Sequence, residues 1–167
     1  MRRIIISATV LSFALVSCSA FAQQKTLKDQ MVGHWIFVSS IDTNKDGTQT
    51  NRFGPNPKGL VMFDPGGRFS FFISRADIPK FAANNINQGT AEENKAVLQG
   101  SIAYYGTWAV DEANKTLTTN VEAATYPNLN GATQKRTITS LTADELKYTN
   151  AATTAGTSSD VVWRRAK

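Results

Sequence analysis

GPNPKGLVMFDPGGRFSFFISR, Gly54 to Arg75, sets two short apolar runs on either side of a Gly/Pro turn and closes on an arginine. Leu60 to Phe63 and Phe69 to Ile73 are rich in β-branched and aromatic residues, which suit a pleated, half-buried surface. Between them, Asp64-Pro65-Gly66-Gly67 supplies a fixed φ at the proline and access to positive φ at the glycines, the chemistry of a tight turn. The stretch reads as two strands of an antiparallel meander. Beyond Arg75 the texture changes to Asp, Asn, Ala and Pro, so the arginine stands where the chain leaves the wall.

The same signals recur in both directions. Trp35 to Ile41 reads as a strand, and Asp42 to Gly47 as a turn into a weaker strand around Thr48 to Phe53. Downstream, Ile102 to Val110, Thr116 to Ala124, Thr133 to Leu141, Glu145 to Tyr148 and Asp160 to Arg164 are each bounded by turn formers. Two helices are expected. Lys25 to Met31 places Leu27 and Met31 on one face and suits a plug. Ala91 to Gln99 follows Thr90, and Thr90-Ala91-Glu92-Glu93 has the form of a capping box. This second helix belongs to an insertion over about residues 77–99, read either as a lid over one mouth or as a brace outside the wall. The expected class is therefore all-β: an eight- or nine-stranded antiparallel barrel with a short N-terminal helix and one helical insertion. An eight-stranded barrel is just wide enough to be filled by side chains or to hold one small ligand. Gly106, between Tyr104 and Trp108 on one strand face, either lets the wall bend or opens room inside.

At 167 residues the chain suits one domain. Its first residues read as an export leader: Arg2 and Arg3 precede an apolar run from Ile4 to Ser17 that is too short to span a bilayer. Ala20-Phe21-Ala22 then forms a cleavage site, giving a leader over 1–22 and a barrel domain over 23–167. Leu15-Val16-Ser17-Cys18 offers a second reading, a lipobox in which Cys18 would be lipidated. Cys18 is the one cysteine of the chain, so no intramolecular disulfide can brace the domain. The formal charge is +5, with Arg2 and Arg3 inside the leader and the other basic residues scattered, which leaves no nucleic-acid footprint.

Gly33-His34-Trp35, the GPNPKG and DPGGR turns, Tyr105-Gly106-Thr107-Trp108, Val121-Glu122 followed by Pro127-Asn128 and Gly131, and the terminal Trp163-Arg164 occur in an order that resembles the lipocalin-like domain family of bacteria and fungi. The helical insertion and the Ala/Thr-rich stretch from Asn150 to Ser159 are its least typical parts. The resemblance implies an up-and-down barrel related to proteins that carry small apolar molecules. It also implies that Trp35, beside Gly33, closes one end of the barrel and packs against an arginine of the last strand, with Arg164 or Arg165 as the match. A guanidinium over an indole face is worth roughly 0.5 to 2 kcal/mol.

Candidates for chemistry are few. Asp42 to Gly47 carries oxygen ligands at alternate positions like the first half of an EF-hand loop, but Phe53 stands where a bidentate glutamate is needed, and Asp-Gly between strands is an ordinary hairpin turn. His34 is the one histidine and should face solvent. No metal site, catalytic motif or cofactor is implied. Polar residues turned inward would matter more. On Thr116 to Ala124, one face carries Leu117, Thr119 and Val121 and the other Thr118, Asn120 and Glu122; were the second inward, Glu122 would be a buried carboxylate paired with Arg75 or Arg136. With what the resemblance implies, the expectation is an exported small-molecule binding protein with an apolar or amphipathic ligand against Phe69, Phe71, Tyr104 and Trp108, and with Arg75, Glu122 or Arg136 fixing a polar group. Two other readings stand beside it: a cofactor-independent isomerase, cyclase or hydrolase using Glu122 with a tyrosine, and an envelope structural or stress protein with a filled barrel.

Overall fold

Apolar side chains alternate along most of the expected strands, and nine strands form there: β1 (Gly33–Thr43), β2 (Gln49–Asn51), β3 (Lys58–Phe63), β4 (Arg68–Ser74), β5 (Ser101–Asp111), β6 (Thr116–Ala124), β7 (Thr133–Leu141), β8 (Glu145–Asn150) and β9 (Ser158–Arg165). The structure, a computed structural model, describes residues 25–167; the expected leader over 1–22, with its cleavage site and Cys18, lies outside the described residues. Neighbours pair antiparallel in the order β1-β3-β4-β5-β6-β7-β8-β9, and β9 returns to pair with β1. Eight strands thus close a barrel, and the short β2 lies against the end of β1 as an extra strand. Closure removes the free sheet edges that an open meander would present.

Aromatic side chains fill the middle of the barrel. Trp163 meets Phe37 and Phe71 edge-on, with ring centroids 5.1 and 5.4 Å apart, and Phe71 stacks on Tyr104 at 4.3 Å. No disulfide is available to these described residues, so this burial carries the stability.

One end is plugged by α1 (Leu27–Met31), as the sequence anticipates. Thr26 and Asp29 form a capping box, and the Glu112 carboxylate accepts from the Leu27 and Lys28 N–H groups at 2.9 and 3.0 Å. Met31 and Trp35 are fully buried beneath, and the Trp35 indole N–H donates to the Met31 carbonyl at 2.8 Å. The arginine over Trp35 is Arg165, 4.0 Å from the ring centroid; Arg164 is exposed on the outer face. Strand alternation decides between them, because Trp163 points inward and Arg164 must then point out. At the strand's end Arg165 turns over the barrel rim, where its guanidinium donates to the Val32, Gln30 and Ala143 carbonyls. Gly33 has φ +124° beneath it, and a Cβ there would lie 3.0 Å from an Arg165 nitrogen. The Gly-x-Trp pattern is therefore a seat for the guanidinium.

Gly106 sits at a register shift between β5 and β6. Tyr105 faces Ala123 while Gly106 faces Val121, so Glu122 is the extra residue of a β-bulge. A Cβ on Gly106 would lie 1.9 Å from the Asn120 carbonyl oxygen. The glycine is needed for close backbone approach where the wall bends.

The insertion leaves and rejoins the wall at one point, since the Arg75 N–H donates to the Gly100 carbonyl at 2.8 Å. It contains α2 (Ala91–Gly100) with the expected Thr90/Glu93 capping box.

Candidate functional site

At the barrel end opposite α1 the inner wall becomes polar. A cavity of ≈70 Å³ opens there. One water needs about 10–15 Å³ on this measure, so the cavity takes a compact group. Phe71, Ile73, Ile102 and Val161 supply its apolar wall.

Arg136, on β7, is the principal cation inside. It is 4% exposed, and alternation with Ile138 turns it inward. Its guanidinium donates to the Thr119 hydroxyl at 2.8 Å, the Tyr104 hydroxyl at 3.1 Å and the Gln134 side-chain oxygen at 2.6 Å, and lies 5.5 Å from the Tyr148 ring centroid. All of these partners are neutral. The ion pairs among the described residues are Arg68–Glu122, Arg75–Asp77 and Lys147–Glu145, and Arg136 belongs to none of them. Burial raises the pKa of both Tyr104 and Tyr148, with the nearby guanidinium opposing it, so both phenols stay protonated at neutral pH.

Asp42 faces the same cavity from β1 and is 3% exposed. Its carboxylate accepts from the Ser40 hydroxyl at 3.2 Å and the Thr157 hydroxyl at 3.3 Å, both long for such bonds. The lip above is formed by Arg52 and by the loop between β8 and β9, joined by a 3.4 Å hydrogen bond from Arg52 to the Thr154 hydroxyl. That loop lies within the Ala/Thr-rich stretch that the sequence marks as atypical.

The sequence pattern of the lipocalin-like domain family matches residues 32–166. The chain belongs to this family. Among solved structures, a lipocalin-like protein from Bacteroides uniformis is 12% identical, with 82% of this chain and 99% of that one covered and a TM-score of 0.46. Bovine odorant binding protein, in complex with a selenium-containing odorant, is 16% identical over 86% of this chain and 74% of that one, with a TM-score of 0.44. A redesigned β-barrel, mFAP1, bound to DFHBI, is 19% identical over 84% of this chain and 100% of that one, with a TM-score of 0.43. No curated protein matches the chain.

Within this lipocalin-like barrel, three of the expected ligand-facing residues come together: Phe71, Tyr104 and Arg136 line one cavity. Phe69 and Trp108 point inward but pack lower in the barrel, Phe69 against Tyr104 and Trp108 against Phe63. Two expectations are corrected. Glu122 is not a buried carboxylate: it lies on the outer face in a bidentate ion pair with Arg68, because Leu117, Thr119 and Val121 take the inner face. That pairing holds its pKa below the ordinary glutamate value. Arg75 stays outside as well, held by Asp77 at 2.8 and 2.6 Å. Glu122 and Tyr104 consequently stand on opposite faces of the wall, whereas Tyr105 is exposed on the outer face with Glu122. Asp42 was missed as an inward group. A register shift on β1 between Phe37 and Ser39 makes Val38 a bulge, so inward alternation passes from Trp35 and Phe37 to Ser40 and Asp42.

The insertion stands beside the mouth. Leu98 and Gln99 border a second groove with Arg52, Ile102 and Thr154, but no residue between Asp77 and Gln99 lines the cavity. The Asp42–Gly47 stretch is a β1–β2 hairpin turn in which Asp46 accepts from Thr48. His34 is exposed on the outer face. Among the described residues no cluster of three or more His, Cys, Asp or Glu is arranged to hold a metal.

Proposed function

We propose that this is an exported binding protein that takes a small amphipathic molecule at the open end of its barrel, with an anionic group of that molecule on Arg136. The observation that carries this reading is a buried guanidinium that faces a cavity and has only neutral partners. An isolated charge in an apolar interior is costly unless it is paired, and the planar guanidinium fork matches a carboxylate. Phe71, Ile102 and Val161 then receive the carbon skeleton. Export rests on the leader pattern of residues 1–22, with the mature chain starting at Gln23.

Calorimetric titration with straight-chain carboxylic acids and with their methyl esters tests the anion. The acids should bind and the esters should not, and Arg136→Gln should abolish binding of the acids. Equal binding of acids and esters, or binding unchanged by Arg136→Gln, would overturn the assignment. Mass spectrometry of the mature protein tests the leader: an N-terminus at Gln23 agrees with export by cleavage, and an acylated Cys18 replaces it with a lipid-anchored form.

A further inference from the structure

The cavity holds a second buried ionisable side chain, Asp42, with no ion-pair partner among the described residues. Asp42 is buried as completely as Arg136, yet it has two long hydroxyl contacts and no cation within ion-pair distance among the described residues. The charged side chains lining the cavity are Asp42, Arg52 and Arg136. Arg52 is directed to Thr154 and over the Phe53 ring, and Arg136 to its three neutral acceptors. A carboxylate left this way asks for a charged donor from outside.

Strand register relates the two residues along the wall. Asp42 faces Ser159 on β9, and Ser159 faces Asn150 on β8. One residue below Asn150, Thr149 faces Thr137, the neighbour of Arg136 on β7. Three steps between strands separate Asp42 from Arg136 along the curved wall, about 14 Å between backbones at some 4.8 Å per step. Both side chains project into the enclosed space, which shortens that span at the charged tips. Asn150 and Ser159 form a neutral polar floor between them.

We infer that the ligand is a compact zwitterion, with its acid group on Arg136, a cationic nitrogen on Asp42, and a short carbon chain between them against Phe71 and Val161. This rests on Arg136 being the anion anchor, and it adds the second charge and the ligand's length. A long apolar tail does not fit inside, because the cavity is small. The bulge at Val38 is the device that makes the site dipolar, since without it Asp42 would face solvent.

Calorimetry on the full mature protein with ω-amino acids from glycine to 6-aminohexanoate, beside the alkanoates and alkylamines of matching length, tests the pairing. For at least one length the amino acid should bind at least about tenfold tighter than its alkanoate. Asp42→Asn should erase that preference while alkanoate binding persists, and Arg136→Gln should abolish both. Should Asp42→Asn fail to fold, Asp42→Ser serves the same comparison, and the wild-type ranking of the three compound series decides without either variant. If alkanoates bind through Arg136 but amino acids bind no better, the zwitterion is overturned and the anion anchor stands. If neither acid series binds wild-type protein, both readings fall together.

Discussion

Arg165 shows how much one side chain can carry at the end of a strand. It stacks on Trp35 and donates to three backbone carbonyls, among them Gln30 and Val32 flanking the end of α1. Each hydrogen bond from a charged donor to an otherwise orphaned carbonyl contributes about 1.5–3 kcal/mol, and the stacking adds roughly 0.5–2 kcal/mol, with the desolvation of the guanidinium offsetting part of the sum. Arg165→Ala should therefore destabilise the fold by about 2–4 kcal/mol in urea unfolding, whereas Arg164→Ala, on the exposed outer face, should change it by less than about 0.5 kcal/mol. Equal effects would refute the assignment of the two arginines. The seat for this residue was legible in Gly33-x-Trp35, but its occupant was not. Choosing between Arg164 and Arg165 needs the inward phase of β9, which Trp163 sets through its packing on Phe37. Asp42 illustrates the same limit, because a single bulged residue at Val38 inverts the phase of everything after it, and a valine followed by two serines carries no bulge signal.

Strands and helices were readable because their determinants are local: alternation, turn residues and the Thr90/Glu93 cap all lie within a few positions of one another. Where an element sits relative to the cavity depends instead on closure, and the insertion is the example. Its capping box was visible, while its place beside the mouth follows from the join of Arg75 to Gly100. Glu93 holds this segment together by accepting from the Ala82 and Thr90 N–H groups, both at 2.8 Å, which lowers its pKa. A carboxyl whose folded pKa is depressed stabilises the folded form above its unfolded pKa, near 4.3 for glutamate, and that contribution is lost as pH falls through the lowered value. The Ala82 and Thr90 amide protons should therefore shift upfield together on acidification in NMR spectra, with a midpoint below the ordinary glutamate value, while amides of β6 and β9 stay unchanged. Glu93→Gln should produce the same shifts at neutral pH. A second test concerns the whole segment. Because its ends are already hydrogen-bonded, replacing residues 76–99 by Asn-Gly should leave a β4–β5 hairpin and a folded barrel. Loss of the β-sheet circular dichroism spectrum would show instead that the insertion supports the wall.

The molecule divides along the barrel axis into a plugged, aromatic-filled half and a polar, open half, and the two halves answer to different demands. Packing of Trp35, Trp163, Phe37 and Phe63 stabilises the first half. The second buries Arg136 and Asp42 without an ion-pair partner for either among the described residues, an arrangement that costs stability. Arg136→Met separates the two demands. Methionine is unbranched and fills the stem's volume, so packing against Tyr148 is kept while the charge disappears. The acceptors left behind are tolerant: the Thr119 and Tyr104 hydroxyls can turn and act as donors, and Gln134 is half-exposed and can reach water. Replacing a buried ion pair by apolar groups of similar size is often neutral or stabilising by about 1–4 kcal/mol, and a buried charge without a partner is costlier still to keep. The variant should thus unfold at the same or higher urea concentration than wild-type protein, with an unchanged slope, while losing affinity for carboxylic acids. A structural arginine would behave in the opposite way: losing its hydrogen-bond network and packing would destabilise the fold by about 1–3 kcal/mol. That loss would identify Arg136 as a post of the barrel wall, and the polar half would then need another explanation.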